Sequence, residues 1–156
     1  MTSAASKFLS PLIAGVVVAF CACSQMQDSL RSQLLMFEGR YDWYGQDKRF
    51  VLHDPAKLEQ QVANRYKQNP RTLDELVDCM SDTTPSKLLL EGKPVPLGQV
   101  CYEALTMLIY FEPDTESKSS NKPWRGYISA KAKDKEREAA QTEWRKVVQQ
   151  HLYSNL

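Results

Sequence analysis

The sequence has no strong excess of charge of either sign, and this balance excludes some classes of protein. Its 156 residues include 20 Lys and Arg against 19 Asp and Glu, a net charge of +1. Because binding to a polyanion depends on a dense positive field, a dedicated nucleic-acid binder is not expected. With 42% hydrophobic and 25% charged residues, the composition is globular and excludes collagen-like and wholly disordered chains.

The common catalytic and metal-binding motifs are also missing. The sequence contains no Gly-x-Ser-x-Gly elbow, no Gly-x-x-x-x-Gly-Lys-Ser/Thr loop, no His-Glu-x-x-His motif and no dinucleotide fingerprint. Its two histidines, His53 and His151, are far apart along the chain. We therefore expect no cofactor, no metal and no catalytic activity. A catalytic site assembled from residues that are distant in the sequence stays open as an alternative.

The N-terminus has the features of an export signal. Lys7 is the only charged residue before Asp28, and it is followed by an apolar run over residues 8–20. This run is shorter than the ~20 apolar residues that span a bilayer. A short cationic start, an apolar stretch and small residues ahead of a cleavage point are typical of a secretory signal.

The same region resembles the type II signal peptide of bacterial lipoproteins, in which a cysteine after a small residue becomes acylated and N-terminal. The chain reads Cys21-Ala22-Cys23-Ser24. Because Cys23 follows the small Ala22 and Cys21 follows the bulky Phe20, the resemblance implies lipidation at Cys23. In that family, a serine after the modified cysteine, here Ser24, implies sorting to the outer membrane.

The resemblance implies a signal peptide over residues 1–22 and a single periplasmic domain over residues 23–156, held at the outer membrane by lipid. Three alternatives stay open. The anchor could lie in the inner membrane, or a plain cleaved signal could release the domain into the periplasm. An uncleaved anchor is the third, since residues 8–27 contain no charged side chain.

Two cysteines remain in the expected domain, Cys79 and Cys101. Because exported proteins mature in an oxidising compartment, a disulfide between these two residues is the simplest prediction. A buried, unbridged pair and a catalytic or metal-binding thiol site are the alternatives. The spacing of the two cysteines is unlike that of a zinc knuckle.

Hydrophobic spacing predicts a mainly α fold, a compact helical domain of about five helices with one small β-hairpin and one disulfide. Helices are expected over residues 26–37, after Asp54-Pro55, after Thr72, and over residues 97–111 and 132–152. The hairpin is predicted at residues 88–90, with its turn at Glu91-Gly92-Lys93.

Three aromatic residues, Tyr41, Trp43 and Tyr44, are predicted to lie in a loop or short helix. Their rings either seal the core beneath that loop or offer a surface on which a ligand stacks. Sealing the core is the favoured interpretation.

A second resemblance covers residues 76–108. Asp82-Thr83-Thr84-Pro85, then Gly92-Lys93 and the stretch 97–105, are similar to a pattern in bacterial proteins of the HEAT-like helical-hairpin type. Because these residues are mostly apolar or turn-forming, the resemblance implies helical architecture and no chemistry. The sequence contains no second copy at the period that a solenoid requires.

The charges are unevenly distributed. Residues 23–116 contain 10 basic and 15 acidic side chains, whereas residues 117–156 contain 9 basic and 4 acidic ones. The two parts are expected to attract each other or to be solvated, and the alternative is that the basic part meets an acidic partner or envelope phosphates. Four cations near the start of the last helix oppose its dipole. The candidate partner-binding residues are Trp124, Lys131, Lys133, Lys135 and Arg137.

These observations predict a non-catalytic protein-binding module that serves as an accessory or assembly lipoprotein of the cell envelope. Such a module needs a scaffold, an anchor and a binding surface, all of which the sequence can supply. The first alternative is an inhibitor or immunity-like protein against a cell-wall hydrolase. The second is an enzyme of the envelope, for which a pocket that gathers His53 with carboxylates would be required.

Overall fold

The computed structural model describes residues 29–113 and 124–156. The expected signal peptide and Cys23 lie outside these residues. The helices are α1 (Leu30–Leu35), α2 (Ala56–Gln68), α3 (Thr72–Cys79), α4 (Leu97–Thr106) and α5 (Asp134–Gln149). The strands are β1 (Gly39–Tyr44), β2 (Arg49–Leu52), β3 (Pro85–Leu90), β4 (Lys93–Pro96), β5 (Ile109–Tyr110) and β6 (Ser154–Asn155).

Four strands form a mixed sheet in the order β2-β1-β3-β4. Strands β1 and β2 are an antiparallel hairpin in which Tyr41 lies opposite Leu52 and Trp43 lies opposite Phe50. Strand β1 pairs with β3 in parallel, and β3 pairs with β4 in antiparallel fashion. A separate antiparallel pair joins β5 to β6 near the C-terminus.

The prediction of a mainly α domain is wrong. Helices account for 45% and strands for 20% of the described residues, and a four-stranded mixed sheet is part of the fold. Residues 41–44, expected as an aromatic loop or short helix, lie in β1. The alternation of Tyr41 and Trp43 with polar Asp42 suits a strand, but the pairing of β1 with β3 joins segments about 50 residues apart, which local periodicity does not report.

The predicted hairpin is present as β3 and β4, and it lies between α3 and α4. Its turn residues Glu91 and Gly92 have φ values of 51° and 76°. Positive φ at both central residues matches the right-handed twist of the two strands, and glycine adopts it without steric cost. Helix α4 ends at Thr106, short of the expected residue 111, because Ile109 and Tyr110 pair with β6.

The disulfide between Cys79 and Cys101 is confirmed. It joins the last residue of α3 to α4, with 5.9 Å between the two Cα atoms and a sequence separation of 22. A bridge over a loop of this length contributes about 3 kcal/mol to stability, mainly by restricting the unfolded chain. Around it lies a core made of fully buried side chains from the helices and the sheet, including Leu34, Leu58, Leu76, Leu88, Leu105 and Trp144.

Among the described residues, no helix combines the length and the apolar character that crossing a bilayer requires.

Candidate functional site: an aromatic groove

A groove of about 830 Å³ opens between the β1–β2 hairpin, helix α4 and the segment 127–131. We call it the aromatic groove, because rings from all three parts of the fold line it. The side chains that define it are Tyr41, Trp43, Phe50, Tyr102, Glu103 and Tyr127.

The strand geometry places the rings on one side of the groove. Successive side chains of a strand point to opposite faces, so Tyr41 and Trp43 share the face of β1 that looks into the groove. Phe50 lies beside Trp43 on β2, with 5.0 Å between the ring centroids in an edge-to-face arrangement. Tyr41 is buried, whereas Trp43 is 58% exposed. The groove therefore runs from a buried floor to an aromatic rim that is open to solvent.

Glu103 lies on the floor, where α4 faces β1. The hydroxyl of Tyr41 donates a hydrogen bond to Oε1 of Glu103 at 2.5 Å, and Nε2 of Gln99 donates to the same oxygen at 3.2 Å. Burial raises the pKa of the Glu103 carboxyl, and these two hydrogen bonds oppose the rise because they favour the charged form. The result is a carboxyl group that is partly buried, held in place by two hydrogen bonds and reachable from the groove.

The two tyrosines beside Glu103 are held in their protonated form. Burial and the adjacent Glu103 charge raise the pKa of the Tyr41 hydroxyl far above its usual range. Burial is also the main cause that raises the pKa of Tyr102 to about 12. The Tyr102 hydroxyl accepts a hydrogen bond from the backbone N–H of Ile128 at 3.3 Å. This contact ties the segment 127–131 to α4 across the groove.

The wild type is expected to lose stability as pH rises, because Glu103 becomes ionised in the folded chain. The substitution Glu103→Gln should remove this loss. The folded chain holds the Glu103 proton more tightly than the unfolded chain, whose carboxyl titrates near the ordinary value of 4.5. The contribution of this group to stability is therefore complete below that pH and is lost as pH rises through the higher folded pKa. Denaturant unfolding between pH 4 and pH 8 should show Glu103→Gln gaining stability over the wild type as pH increases.

Glu59→Gln is the matched control for that measurement. Glu59 is exposed on α2, and its substitution removes the same charge as Glu103→Gln. The control and the wild type should keep parallel stability curves. Parallel curves for Glu103→Gln as well would contradict a buried carboxyl with a raised pKa.

Lys131 extends over the rim of the groove. Its Nζ lies 4.6 Å from the centroid of the Phe50 ring, a distance at which a cation is attracted to the face of an aromatic ring. The same Nζ lies 3.1 Å from Oε2 of Glu91 in the β3–β4 turn. A second ion pair, from Arg145 to Asp78 at 2.8 Å, also joins the basic C-terminal part to the acidic body. Two ion pairs thus join the C-terminal part of the chain to the rest of the fold.

The other candidates from the sequence do not gather in the groove. Trp124 is half-buried, with its ring centroid 4.7 Å from that of Tyr127 and 5.3 Å from that of Trp144, so it covers the core. Lys133 precedes α5, and its backbone N–H donates to the Glu136 carboxylate at 2.6 Å. Lys135 is exposed and borders a different depression, next to Trp124.

Arg137 does not belong to the predicted binding surface, because the side chain is only 3% exposed. Its guanidinium donates hydrogen bonds to the carbonyl of Ala132 and the carboxylate of Asp134 at the start of α5. Of the four cations near the N-terminus of α5, Arg137 is therefore paired with Asp134 within the same helix. The sequence pattern gave no sign that Arg137 turns inward.

The floor and walls of the groove were largely missed by sequence reasoning. The sequence predicts that Tyr41 and Trp43 seal the core, with a surface for ligand stacking as the alternative. In the structure Tyr41 is buried and belongs to the core, whereas Trp43 faces solvent and is available for stacking. Glu103 and Tyr102 lay unnoticed in the apolar pattern of α4, and no local signal linked them to β1.

His53 lies outside the groove. Its Nδ1 is 2.6 Å from Oδ2 of Asp42, and both side chains are about half exposed. Hydrogen bonds from Arg40 and His53 lower the pKa of Asp42. The pair is thus a surface contact of the β1–β2 hairpin and its flank. Within residues 29–113 and 124–156, no cluster of three or more His, Cys, Asp or Glu side chains is arranged to hold a metal ion.

Comparisons of the chain with protein-family models, with curated proteins and with solved structures found no match. The chemistry of the aromatic groove is therefore the basis on which a function is inferred.

Proposed function

We propose that the protein is an accessory or assembly lipoprotein that binds a protein partner of the cell envelope. In this proposal, an acylated Cys23 anchors it at the periplasmic face of the outer membrane, and the aromatic groove receives a segment of the partner. The signal-like N-terminus supports the anchor, and the groove supports the binding role.

The observation that carries the proposal is the exposure of large aromatic side chains on both sides of one groove. Trp43 and Tyr127 are each 58% exposed, on the β1–β2 hairpin and the segment 127–131 respectively. Tryptophan and tyrosine dominate the binding energy of protein interfaces, because they bury large areas and lose little side-chain entropy. Two such residues facing each other across a groove form a clamp for a partner segment.

The edge of the sheet favours a polypeptide as that partner. Strand β2 is the outermost strand beside β1, and all four of its residues line the groove. Within the part of the chain that the structure describes, no strand pairs with its outer edge. An extended peptide can hydrogen-bond to such an edge while its alternate side chains enter the groove.

The residues of the groove suit binding better than catalysis. Glu103 is the one carboxylate among its described lining residues, which include neither histidine nor cysteine. Nucleophilic catalysis needs a nucleophile and a base within hydrogen-bond reach of each other. The hydroxyl that donates to Glu103 is that of Tyr41, whose pKa is raised by burial and by the Glu103 charge, so it is poorly suited to act as a nucleophile.

Site-specific photocrosslinking in living cells tests this proposal. A photoreactive phenylalanine analogue at position 43 should capture one protein, and the adduct should be recovered with the membrane fraction if the anchor is present. The matched control carries the analogue at Tyr44, which is also exposed but lies on the opposite face of β1. An adduct from position 43 alone supports the proposal. No adduct, or the same adducts from both positions, would contradict it.

A further inference from the structure

We propose that the aromatic groove selects a cationic side chain, a lysine or arginine of the partner segment, which passes the Trp43 and Phe50 rings and pairs with Glu103. This inference rests on the proposed function and specifies the chemistry of the partner.

The floor of the groove offers an acceptor for a positively charged donor. Both hydrogen bonds to Glu103, from Tyr41 and from Gln99, end on Oε1. Within the described residues, no side chain or backbone group donates to Oε2. Glu103 is partly buried, and a carboxylate that is partly withdrawn from water is stabilised by a positively charged donor. An ammonium or guanidinium group entering the groove would supply the missing donor and the opposite charge together.

The walls also suit a cation. Aromatic faces attract ammonium and guanidinium groups through the ring quadrupole. Phe50 already holds the Lys131 ammonium 4.6 Å from its ring centroid, so this wall accommodates a cation in the folded protein. Lys131 does not reach Glu103, because its Nζ is paired with Glu91 at the rim. Lys131 therefore lies at the rim of the groove, and Glu103 on the floor is accessible to a cation of the ligand.

The cations at the rim are largely paired and do not reverse this preference. Arg49 lies 3.1 Å from the Asp47 carboxylate, and Lys131 lies 3.1 Å from Glu91. Lys48 is the further rim cation among the described lining residues. An acidic ligand that reached the floor would instead meet the Glu103 carboxyl, and two neighbouring carboxylates repel each other.

The pairing should depend on pH through Glu103. The titratable groups that face it are Tyr41 from β1 and Tyr102 on α4, both protonated over the physiological range, with Lys131, Lys48 and Arg49 at the rim. Burial raises the pKa of Glu103, so protonation of the carboxyl competes more strongly with cation binding as pH falls. A bound cation favours the ionised carboxylate. Binding of a cation therefore strengthens as pH rises.

The test uses the full chain in detergent micelles and two probes, N-acetyl-lysine methylamide and the same compound with an acetylated side-chain amine. Two-dimensional NMR titrations at pH 5 and pH 7.5 give the dissociation constants from shifts of groove residues. The lysine probe should bind about tenfold more tightly than the acetylated probe. Its affinity should increase between pH 5 and pH 7.5, and that of the acetylated probe should not change.

Glu103→Gln should abolish the advantage of the lysine probe and its pH dependence, whereas Glu59→Gln should preserve both. The wild-type pH dependence needs no substitution, so it tests the inference even if Glu103→Gln does not fold. Equal affinity for the two probes, or no shift with either one, would overturn the cation preference. Photocrosslinking from position 43 in cells does not depend on these probes. If the probes show no cation preference but position 43 still captures one protein, only the cation preference is overturned. If position 43 captures no protein, the proposed function is overturned as well.

Discussion

Replacing Gly98 by alanine is expected to lower the free energy of unfolding by about 3 kcal/mol or more, enough to unfold a marginally stable domain. A Cβ at this position would lie 2.1 Å from the carbonyl oxygen of Met80 and 2.7 Å from its carbonyl carbon. These are backbone atoms, so the clash cannot be relieved by a change of rotamer. The Gly98 N–H also donates to the carbonyl of Asp82 at 2.9 Å. Alanine would therefore push α4 away from the end of α3.

The disulfide makes this displacement more costly. Cys79 and Cys101 hold α3 and α4 together next to the Gly98 contact, so the two helices cannot separate freely. Overpacking at a site that cannot relax is among the few mechanisms that give large losses from a single methyl group. Chemical denaturation of the purified variant measures the loss directly.

Gly45→Ala provides the matched control. A Cβ at Gly45, between β1 and β2, would meet only Nε1 of Trp43, at an ordinary contact distance of 3.9 Å. Its stability should stay within about 0.5 kcal/mol of the wild type. A Gly98→Ala variant as stable as Gly45→Ala would show that α4 does not approach the Met80 backbone as closely as described.

Trp144→Ala is expected to lower the free energy of unfolding by about 3–5 kcal/mol. The side chain is 2% exposed and is among the largest that the core buries. Its ring meets Trp124 and Phe111 edge-on, with centroid distances of 5.3 and 6.2 Å. The indole N–H donates to the carbonyl of Gly126 at 2.9 Å. Alanine would leave a large cavity and an unpaired buried carbonyl.

The same substitution should also weaken the aromatic groove. Gly126 precedes Tyr127, which forms one wall, so the Trp144 hydrogen bond helps to position the segment 127–131. We therefore expect Trp144→Ala to lose stability and groove binding together. Denaturant unfolding and the lysine-probe titration measure the two effects on one sample.

Trp43→Ala is the control that separates the two effects, since it removes an identical side chain from an exposed position. Trp43 contacts the core mainly through the Phe50 ring, 5.0 Å away, so its loss should cost less than about 1 kcal/mol. Groove binding should nevertheless fall sharply. If Trp43→Ala were as destabilising as Trp144→Ala, the indole at position 43 would be a structural element and not an exposed binding residue.

The parts of the fold that were predicted correctly depend on interactions between residues close in the sequence. The β3–β4 hairpin followed from an apolar run and a Glu-Gly turn, and both turn residues have the positive φ that such a turn requires. Helix α2 begins at Ala56, directly after Asp54-Pro55, although Pro55 takes the N-cap position expected for Asp54 and not the first helical position. The disulfide followed from the cysteine count and the expected compartment, and needed no knowledge of the fold.

The four-stranded sheet was missed because its central pairing is non-local. Strand β1 pairs with β3 through Gly39 and Arg40, and Tyr41 packs against Glu103, 62 residues further along the chain. The aromatic residues of β1 pair with β2 in a hairpin of neighbouring segments, and their alternation extends over too few residues to predict a strand by itself. Burial of Arg137 has a similar origin, because packing of α5 against the body turns one of several lysines and arginines inward.

Local patterns thus account for the export-signal features, the cysteine pair, the turn of β3–β4 and the approximate positions of the helices. The aromatic groove depends on long-range packing. Its rings, its carboxyl group and its rim lysine come from the β1–β2 hairpin, α4 and the segment 127–131. These three parts are far apart in sequence and meet only when the sheet and helices assemble. Periodicity reports which side of a segment is buried, but the partner that buries it is chosen by the whole chain.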